Sequence, residues 1–255
     1  MPVIEPDPQG SVLVTGGSRG IGAAVALMCA KRGWAVAVNY ARDAAAADAV
    51  VAAIHALGGR ALALQADVGD EAQVLAMFAR IDAELLPLAG LVNNAGVIDM
   101  PARVDEMSVA RLQRMFNINV VGSFVCAREA VKRMSTRHGG AGGAIVNLSS
   151  AAARIGSPGM YVDYAAAKGA IDTFTFGLAK EVANEGIRVN AVRPGIIDTD
   201  IHASGGLPER ARQSNALIPM QRPGTADEVA QAIVWLLSRD SSYTTGAIID
   251  VTGGR

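Results

Sequence analysis

"TGGSRGIG", residues 15–22, joins a short apolar run to a stretch of helical periodicity, and its reading decides the fold. The run "SVLVTGG", residues 11–17, which leads into it, reads as a strand, and behind it residues 20–32 have the spacing of a helix. Gly16 can take a backbone conformation closed to other residues, Gly20 lets the chain pass close to a pyrophosphate, and Gly22 lets helix and strand pack tightly. A turn of this kind offers an anion the N-terminus of a helix. The spacing is Gly-x3-Gly-x-Gly, and no lysine followed by Ser or Thr accompanies it, so a nucleoside triphosphate loop is not indicated. Standing alone, the same turn also suits a plain strand-to-helix connection.

Working outward, further β-branched runs read as strands at 34–40, 60–67, 88–96, 143–150, 187–195 and 247–254. Helical spacing fills 43–57, 70–85, 108–136, 163–185 and 226–238, with Asp70 and Ser108 as caps. Strict alternation implies an α/β fold: a doubly wound, parallel seven-stranded sheet with helices on both faces. No linker, composition shift or internal repeat divides the chain, which reads as one dinucleotide-binding catalytic domain, 1–255. The stretch 196–225 contains no strand and follows a strand's carboxyl end, the place for a substrate lid; His202 and Met220 fall in it.

Composition agrees with a buried parallel sheet: hydrophobic residues are 51% of the 255 residues, charged residues 18% and aromatics 4%. A net charge of −1 and a pI near 6.3 give no basic field for nucleic acid or anionic membrane surfaces. No apolar run reaches the ~18 residues a membrane helix needs. "MPVIEPDPQG" lacks an export signal's basic flank and apolar core, so a soluble, cytoplasmic protein is expected. Cys29 and Cys126 sit among apolar residues and read as buried thiols; His55, His138 and His202 show no metal-ligand spacing, and no metal site is expected.

The strand ends carry the chemistry. At the third, Asp67 can accept from an adenine amino group while the Val68 backbone reads the ring; a helix cap is the equal alternative for Asp67. At the fourth, "NNAG" places Asn94, Ala95 and Gly96 where a ribose can lie against the chain, and an ordinary turn is the alternative. The second ends in Asn39, Tyr40 and Ala41, where an acid would be needed to grip an unphosphorylated adenosine ribose. Asp43 is the nearest acid and reads as a helix cap. Arg19, beside Ser18 and Ile21 in the glycine turn, and Arg42 are placed for a 2′-phosphate or for solvent. The expected cofactor is NADP(H) over NAD(H).

Thr15-Gly16-x3-Gly20-Ile21-Gly22, Asn93-Asn94-Ala95-Gly96, Asn119, Ser150, Tyr164-x3-Lys168 and Pro194-Gly195, in this order, resemble the short-chain dehydrogenase/reductase family, and within it the branch of bacterial 3-oxoacyl-acyl-carrier-protein reductase and glucose 1-dehydrogenase. The resemblance implies an NAD(P)-dependent oxidoreductase on a single-domain Rossmann fold, acting on a small carbonyl or alcohol and commonly a homotetramer.

"YVDYAAAKG", residues 161–169, offers two tyrosines. At ~1.5 Å rise per residue, Tyr164 and Lys168 are one turn apart on one face while Tyr161 is about 10 Å from Lys168 along the axis. A phenol's pKa near ~10 is too high for proton exchange at neutral pH, and a cation ~4 to 6 Å away lowers it. Tyr164 is the expected proton donor, Lys168 its partner, and Tyr161 a cavity wall or packing. The resemblance assigns Tyr164 and Lys168 the same roles. Ser150, at the fifth strand's end, can hold the substrate oxygen. Its neighbour Ser149 is a rival, but the family's serine matches the second of the pair.

Asn119 is a poor helix former inside 108–136, expected to disturb the helix and hold a water. The resemblance makes it a relay of protons toward Lys168. Pro194 and Gly195 turn the chain so that Ile197 and Thr199 can hydrogen-bond a nicotinamide carboxamide. Lys132, Arg133 and Arg137 are candidates for docking an acyl carrier protein, or plain partners of a helix dipole. A non-catalytic nucleotide sensor is a third alternative, disfavoured because a sensor needs no proton donor.

Overall fold

The computed structural model describes residues 10–199, 205–207 and 209–255. Most of the N-terminal segment read above, and His202 of the expected lid, lie outside the described residues.

Seven strands form one parallel sheet: β1 (Ser11–Val14), β2 (Ala35–Tyr40), β3 (Ala61–Gln65), β4 (Leu88–Asn93), β5 (Gly143–Leu148), β6 (Ile187–Pro194) and β7 (Ile248–Val251), in the order β3-β2-β1-β4-β5-β6-β7. Val12 pairs with Val36 on one side and Gly90 on the other. The order reverses between β1 and β4, so the loops leaving these strands diverge and open a crevice at their carboxyl ends.

Buried strands alternate their side chains between two apolar layers. Val12, Val14, Val36 and Val146 pack under α1 (Gly20–Lys31), α2 (Ala44–Ala56) and a C-terminal helix Ala226–Leu237. Leu13, Ala37, Leu91 and Ile145 pack under α3 (Glu71–Glu84), a helix Gly122–Met134 and the end of a long helix Val162–Val182. Cys29 and Cys126 are buried in these layers and form no disulfide, and burial pushes the Cys126 thiol up to about 12. No helix among the described residues is long and apolar enough to cross a membrane.

Several strands stop short of their expected ends. The sequence runs 11–17, 60–67, 88–96 and 143–150 close at Val14, Gln65, Asn93 and Leu148, because the motif residues beyond them form the strand-to-helix turns. The expected helix 108–136 is three elements: α4 (Val109–Phe116), a π-turn Asn117–Val121, and α5, the Gly122–Met134 helix. Asn119 is the cause. Its Nδ2 donates to the Met115 carbonyl at 2.9 Å, taking the acceptor a backbone N–H would use, and the Gly122 N–H reaches back to Asn117 instead.

After β5 a short helix, α6 (Ala152–Ile155), precedes α7, the Val162–Val182 helix. Past β6, the described residues of the insertion 196–225 include α8 (Arg210–Gln213), a 3-10 turn Asn215–Leu217 and a bridge, Ile197 to Gly224. Ile196, Ala211 and Ile218 form a small satellite core beneath it, and the Met220 N–H donates to the Gly253 carbonyl at 3.1 Å. The helix Ala226–Leu237 is α9.

Candidate active site

The crevice between β1 and β4 is held by side chains of its own turns. The Thr15 hydroxyl accepts from the N–H groups of Asn94 and Ala95, both at 3.0 Å, and donates to the Val92 carbonyl. Asn94 Nδ2 donates to the carbonyls of Thr15 at 2.8 Å and Gly16 at 3.0 Å. Asn39, 1% exposed, ties the same turn to β3: its Oδ1 accepts from the Gly16 N–H, and its Nδ2 donates to Leu64 and Ala66. Its amide is therefore committed to backbone groups. Asn39 thus shapes the glycine turn and also lines the larger cavity of the crevice.

Two adjoining cavities occupy the crevice and share Ile21, Asn94, Gly96 and Thr199. The larger, about 560 Å³, runs past Gly16, Ser18, Arg19 and Gly20 to Tyr40, Ala41, Arg42, Asp67, Val68 and Ala95. The smaller, about 100 Å³, is lined by Ser149, Ser150, Tyr164, Lys168, Pro194, Gly195 and Ile197. Of the residues expected from the sequence, Gly22 and Asn119 lie behind the walls.

The larger cavity suits a dinucleotide's phosphates. Asp43, Asp70, Ser108 and Thr225 cap α2, α3, α4 and α9 through their side chains, whereas α1 starts at Arg19 with no side-chain cap and no acid in its first turn. That leaves the helix end to an anion. Gly16 and Gly20 both have positive φ, 60° and 53°. A Cβ on Gly22 would stand 2.3 Å from the Gly16 carbonyl oxygen and 2.6 Å from Asn94 Nδ2. Gly22→Ala is thus expected to push the turn out of shape, destabilising the fold by about 1–3 kcal/mol and weakening nucleotide binding; thermal melts with and without nucleotide check it.

Asp67 does not cap α3, which Asp70 does. Its Oδ1 accepts from Gly69, 2.9 Å away, and the exposed carboxylate lines the cavity. Ile98, Arg114 and Ile118, which no motif announced, close the wall beside it. They come from the loop after β4, from α4 and from the π-turn, and their approach to β3 is set by packing of distant segments.

In the smaller cavity the two serines separate. Ser149 is buried and donates to the Lys168 carbonyl at 3.3 Å, while the Ser150 hydroxyl is hydrogen-bonded to Tyr164. Lys168 is 4% exposed; its Nζ donates to the Leu148 carbonyl at 2.6 Å and lies 5.6 Å from the Tyr164 ring centre. Burial pushes the Tyr164 phenol up, and the Ser150 hydrogen bond pulls the other way. Burial also draws the Lys168 ammonium down to about 8, against the upward pull of Asp172. Ser150 is thus a counterweight to burial on the phenol, with the Lys168 ammonium standing close to the same ring. Tyr161 is 2% exposed, outside the cavity lining, and packs at the start of α7.

Asn119 is fully buried, with Oδ1 on the Val97 N–H and Nδ2 on the carbonyls of Val97 and Met115. Its amide fastens the turn after Gly96. A Cβ on Gly96 would lie 2.7 Å from Asn119 Oδ1 and 3.7 Å from Lys168 Nζ, so only a glycine separates the two.

A glycine turn at the switch point of a parallel seven-stranded sheet, opening onto Ser150, Tyr164 and Lys168, defines an oxidoreductase that binds a nicotinamide cofactor and acts on small molecules. The chain belongs to the short-chain dehydrogenase/reductase family. Residues 16–255 match the family described as enoyl-(acyl carrier protein) reductase. The chain is 58% identical to the uncharacterized oxidoreductase YgfF of Escherichia coli strain K12, over 95% of this chain and 98% of that one. It is 40% identical to a 3-oxoacyl-[acyl-carrier-protein] reductase of Synechocystis, covering 95% of each. A short-chain dehydrogenase from Burkholderia cenocepacia, solved in complex with NADP, superposes with a TM-score of 0.87 at 35% identity, covering 96% of this chain and 97% of that one.

Proposed function

We propose that the protein is an NADP(H)-dependent oxidoreductase that transfers a hydride between nicotinamide and a carbonyl or secondary alcohol. One catalytic domain, 1–255, carries the reaction, with 196–225 as its lid. The observation that carries this reading is the small cavity in which Tyr164, Ser150 and Lys168 converge, continuous with the cavity at the glycine turn.

When bound, the nicotinamide supplies the hydride in reduction and accepts it in oxidation. The glycine turn and the uncapped end of α1 hold the pyrophosphate, Asp67 and Val68 the adenine, and Ala95-Gly96 the ribose. Pro194 and Gly195 set the turn from which Ile197 and Thr199 fix the ring's face. Ser150 Oγ holds the substrate oxygen. Tyr164 Oη gives that oxygen its proton in reduction and takes it back in oxidation. Lys168 supplies positive charge beside the phenol, and Asn119 keeps the Gly96 turn seated against Lys168.

The basic patch does not favour a dedicated acyl-carrier-protein reductase over this general reading. The three bases weighed as a docking patch are engaged: Lys132 with Glu129 at 2.9 Å, Arg133 with Asp82 at 2.7 Å, and Arg137 with Glu185 at 3.9 Å. Screening NADPH consumption against acetoacetyl thioesters, aldoses, quinones and aromatic ketones tests the assignment. No oxidation with any of these classes, under conditions where NADPH binds, would argue for a sensor.

A homotetramer is expected. Phe116, Val121, Phe124 and Phe176 leave apolar surface exposed on α4, the π-turn, α5 and α7, and among the described residues β7 is a sheet edge paired with β6. Light scattering at micromolar concentration checks it, and a stable monomer of 26.2 kDa is the contrary result.

A further inference from the structure

Asp172 is a buried acid for which the proposed reaction has no use. It lies one helical turn beyond Lys168 on α7, is 7% exposed, and lines neither cavity. Its Oδ2 accepts from Arg193 Nε at 3.0 Å and Nη2 at 2.7 Å. Its Oδ1 is buried and has no hydrogen-bond partner among the described residues. A buried carboxylate oxygen left without a donor is costly unless nearby positive charge compensates it. Arg193 is one such charge. Lys168 is the other.

The clamp continues across the sheet edge. Arg193 sits on β6 directly before Pro194-Gly195, and its Nη1 lies 3.5 Å from Asp250 Oδ1 on β7. Asp250 Oδ2 takes Arg154 Nη1 at 2.6 Å, and Arg154 belongs to α6, which begins two residues after Ser150. The charges alternate along the path Lys168, Asp172, Arg193, Asp250, Arg154. Apart from Tyr164 on its own helix, the small cavity around Lys168 brings no other titratable side chain; Asn94, Ser149, Ser150 and Thr199 are neutral.

We propose that Asp172 is a positioning residue for catalysis: clamped by Arg193, its carboxylate keeps Lys168 a buried cation, while Asp250 and Arg154 tie the clamp to the Ser150 end of the site. The proposal rests on the catalytic reading of Lys168 given above. In its support, burial draws the Lys168 ammonium down to about 8, and Asp172 is the charge that opposes this. The sign follows. The lysine loses its charge as pH rises through that value, so removing the Asp172 charge moves the loss to lower pH, and removing the Arg193 charge moves it to higher pH.

The experiment titrates Lys168 directly. The chain has four lysines, so the ε-carbon signals of 13C-lysine-labelled full-length protein are few, and Lys168→Met assigns the one of interest. Asp172→Asn is expected to lower its titration midpoint by about one pH unit, and Arg193→Gln to raise it. In kcat/KM profiles with NADPH and an accepted carbonyl, Asp172→Asn should match the parent near pH 6 and fall about fivefold below it near pH 8. A role confined to fastening α7 to β6 would lower activity equally at every pH and leave the midpoint in place; that result overturns the proposal. Should Asp172→Asn not fold, the Arg193→Gln midpoint decides, and a midpoint unmoved or lowered is the refuting outcome. A Lys168→Met variant with normal turnover would sink the catalytic reading and the proposal with it, a result told apart from the others because the titration needs no turnover.

Discussion

Tyr164→Phe should fold and bind nucleotide as the parent does and lose about 10²- to 10⁴-fold in turnover, the range that general acid catalysis contributes. The substitution removes only the Oη atom, leaving the ring beside Lys168 and the Ser150 hydroxyl without its phenol partner. Tyr161→Phe is the matched control. Tyr161 is more deeply buried, at 2% exposure, yet it lies outside the small cavity, so its loss of a hydroxyl should change kcat less than about threefold, within the effect of one ordinary hydrogen bond. Steady-state kinetics on the pair, with nucleotide binding followed by fluorescence, separates chemistry from folding. An inactive Tyr161→Phe beside an active Tyr164→Phe would overturn the assignment of the proton donor.

The same two tyrosines show how much the sequence discloses. Helical periodicity alone puts Tyr164 and Lys168 on one face, because a contact one turn apart is local and needs no knowledge of the rest of the chain. The glycine turn is equally local, and the alternation of strands and helices leaves few topologies for a parallel sheet. What escaped are features made by long-range encounters. Asn39 is 25 and 27 residues from the carbonyls of β3 and of the turn after it that it holds, so nothing near it in the sequence marks it as a support for Gly16. Arg114 and Ile118 reach the larger cavity only because the π-turn re-aims the chain after α4. Asp172 and Arg193 are 21 residues apart and meet across two elements. The electrostatics of Tyr164 likewise depend on burial, which a sequence reports only in outline.

The wild-type enzyme should prefer NADPH to NADH by about 10²-fold in kcat/KM, and the variant carrying both Arg19→Ala and Arg42→Ala should bring that ratio to about one. Selection against a 2′-phosphate needs an acid at the end of β2 to bind the free ribose hydroxyls. Asn39 occupies that end with its amide spent on Gly16, Leu64 and Ala66. The nearest acid, Asp43, caps α2 by accepting from the Ala46 N–H at 3.0 Å. Arg19 and Arg42 line the same cavity, both exposed and neither paired with a carboxylate among the described residues. Two guanidiniums facing one phosphate, at ~1.5 to 3 kcal/mol for each hydrogen bond to a charged group, give two to four powers of ten. Solvent screening at exposed groups places the expectation at the low end of that range. The preference should also weaken as salt rises, since an exposed pair is screened within about 10 Å at ~0.1 M ionic strength. Measuring both cofactors against any accepted carbonyl, in the parent and in the double variant, tests this. A parent ratio at or below one, or a double variant with the ratio unchanged, removes the two arginines from cofactor selection.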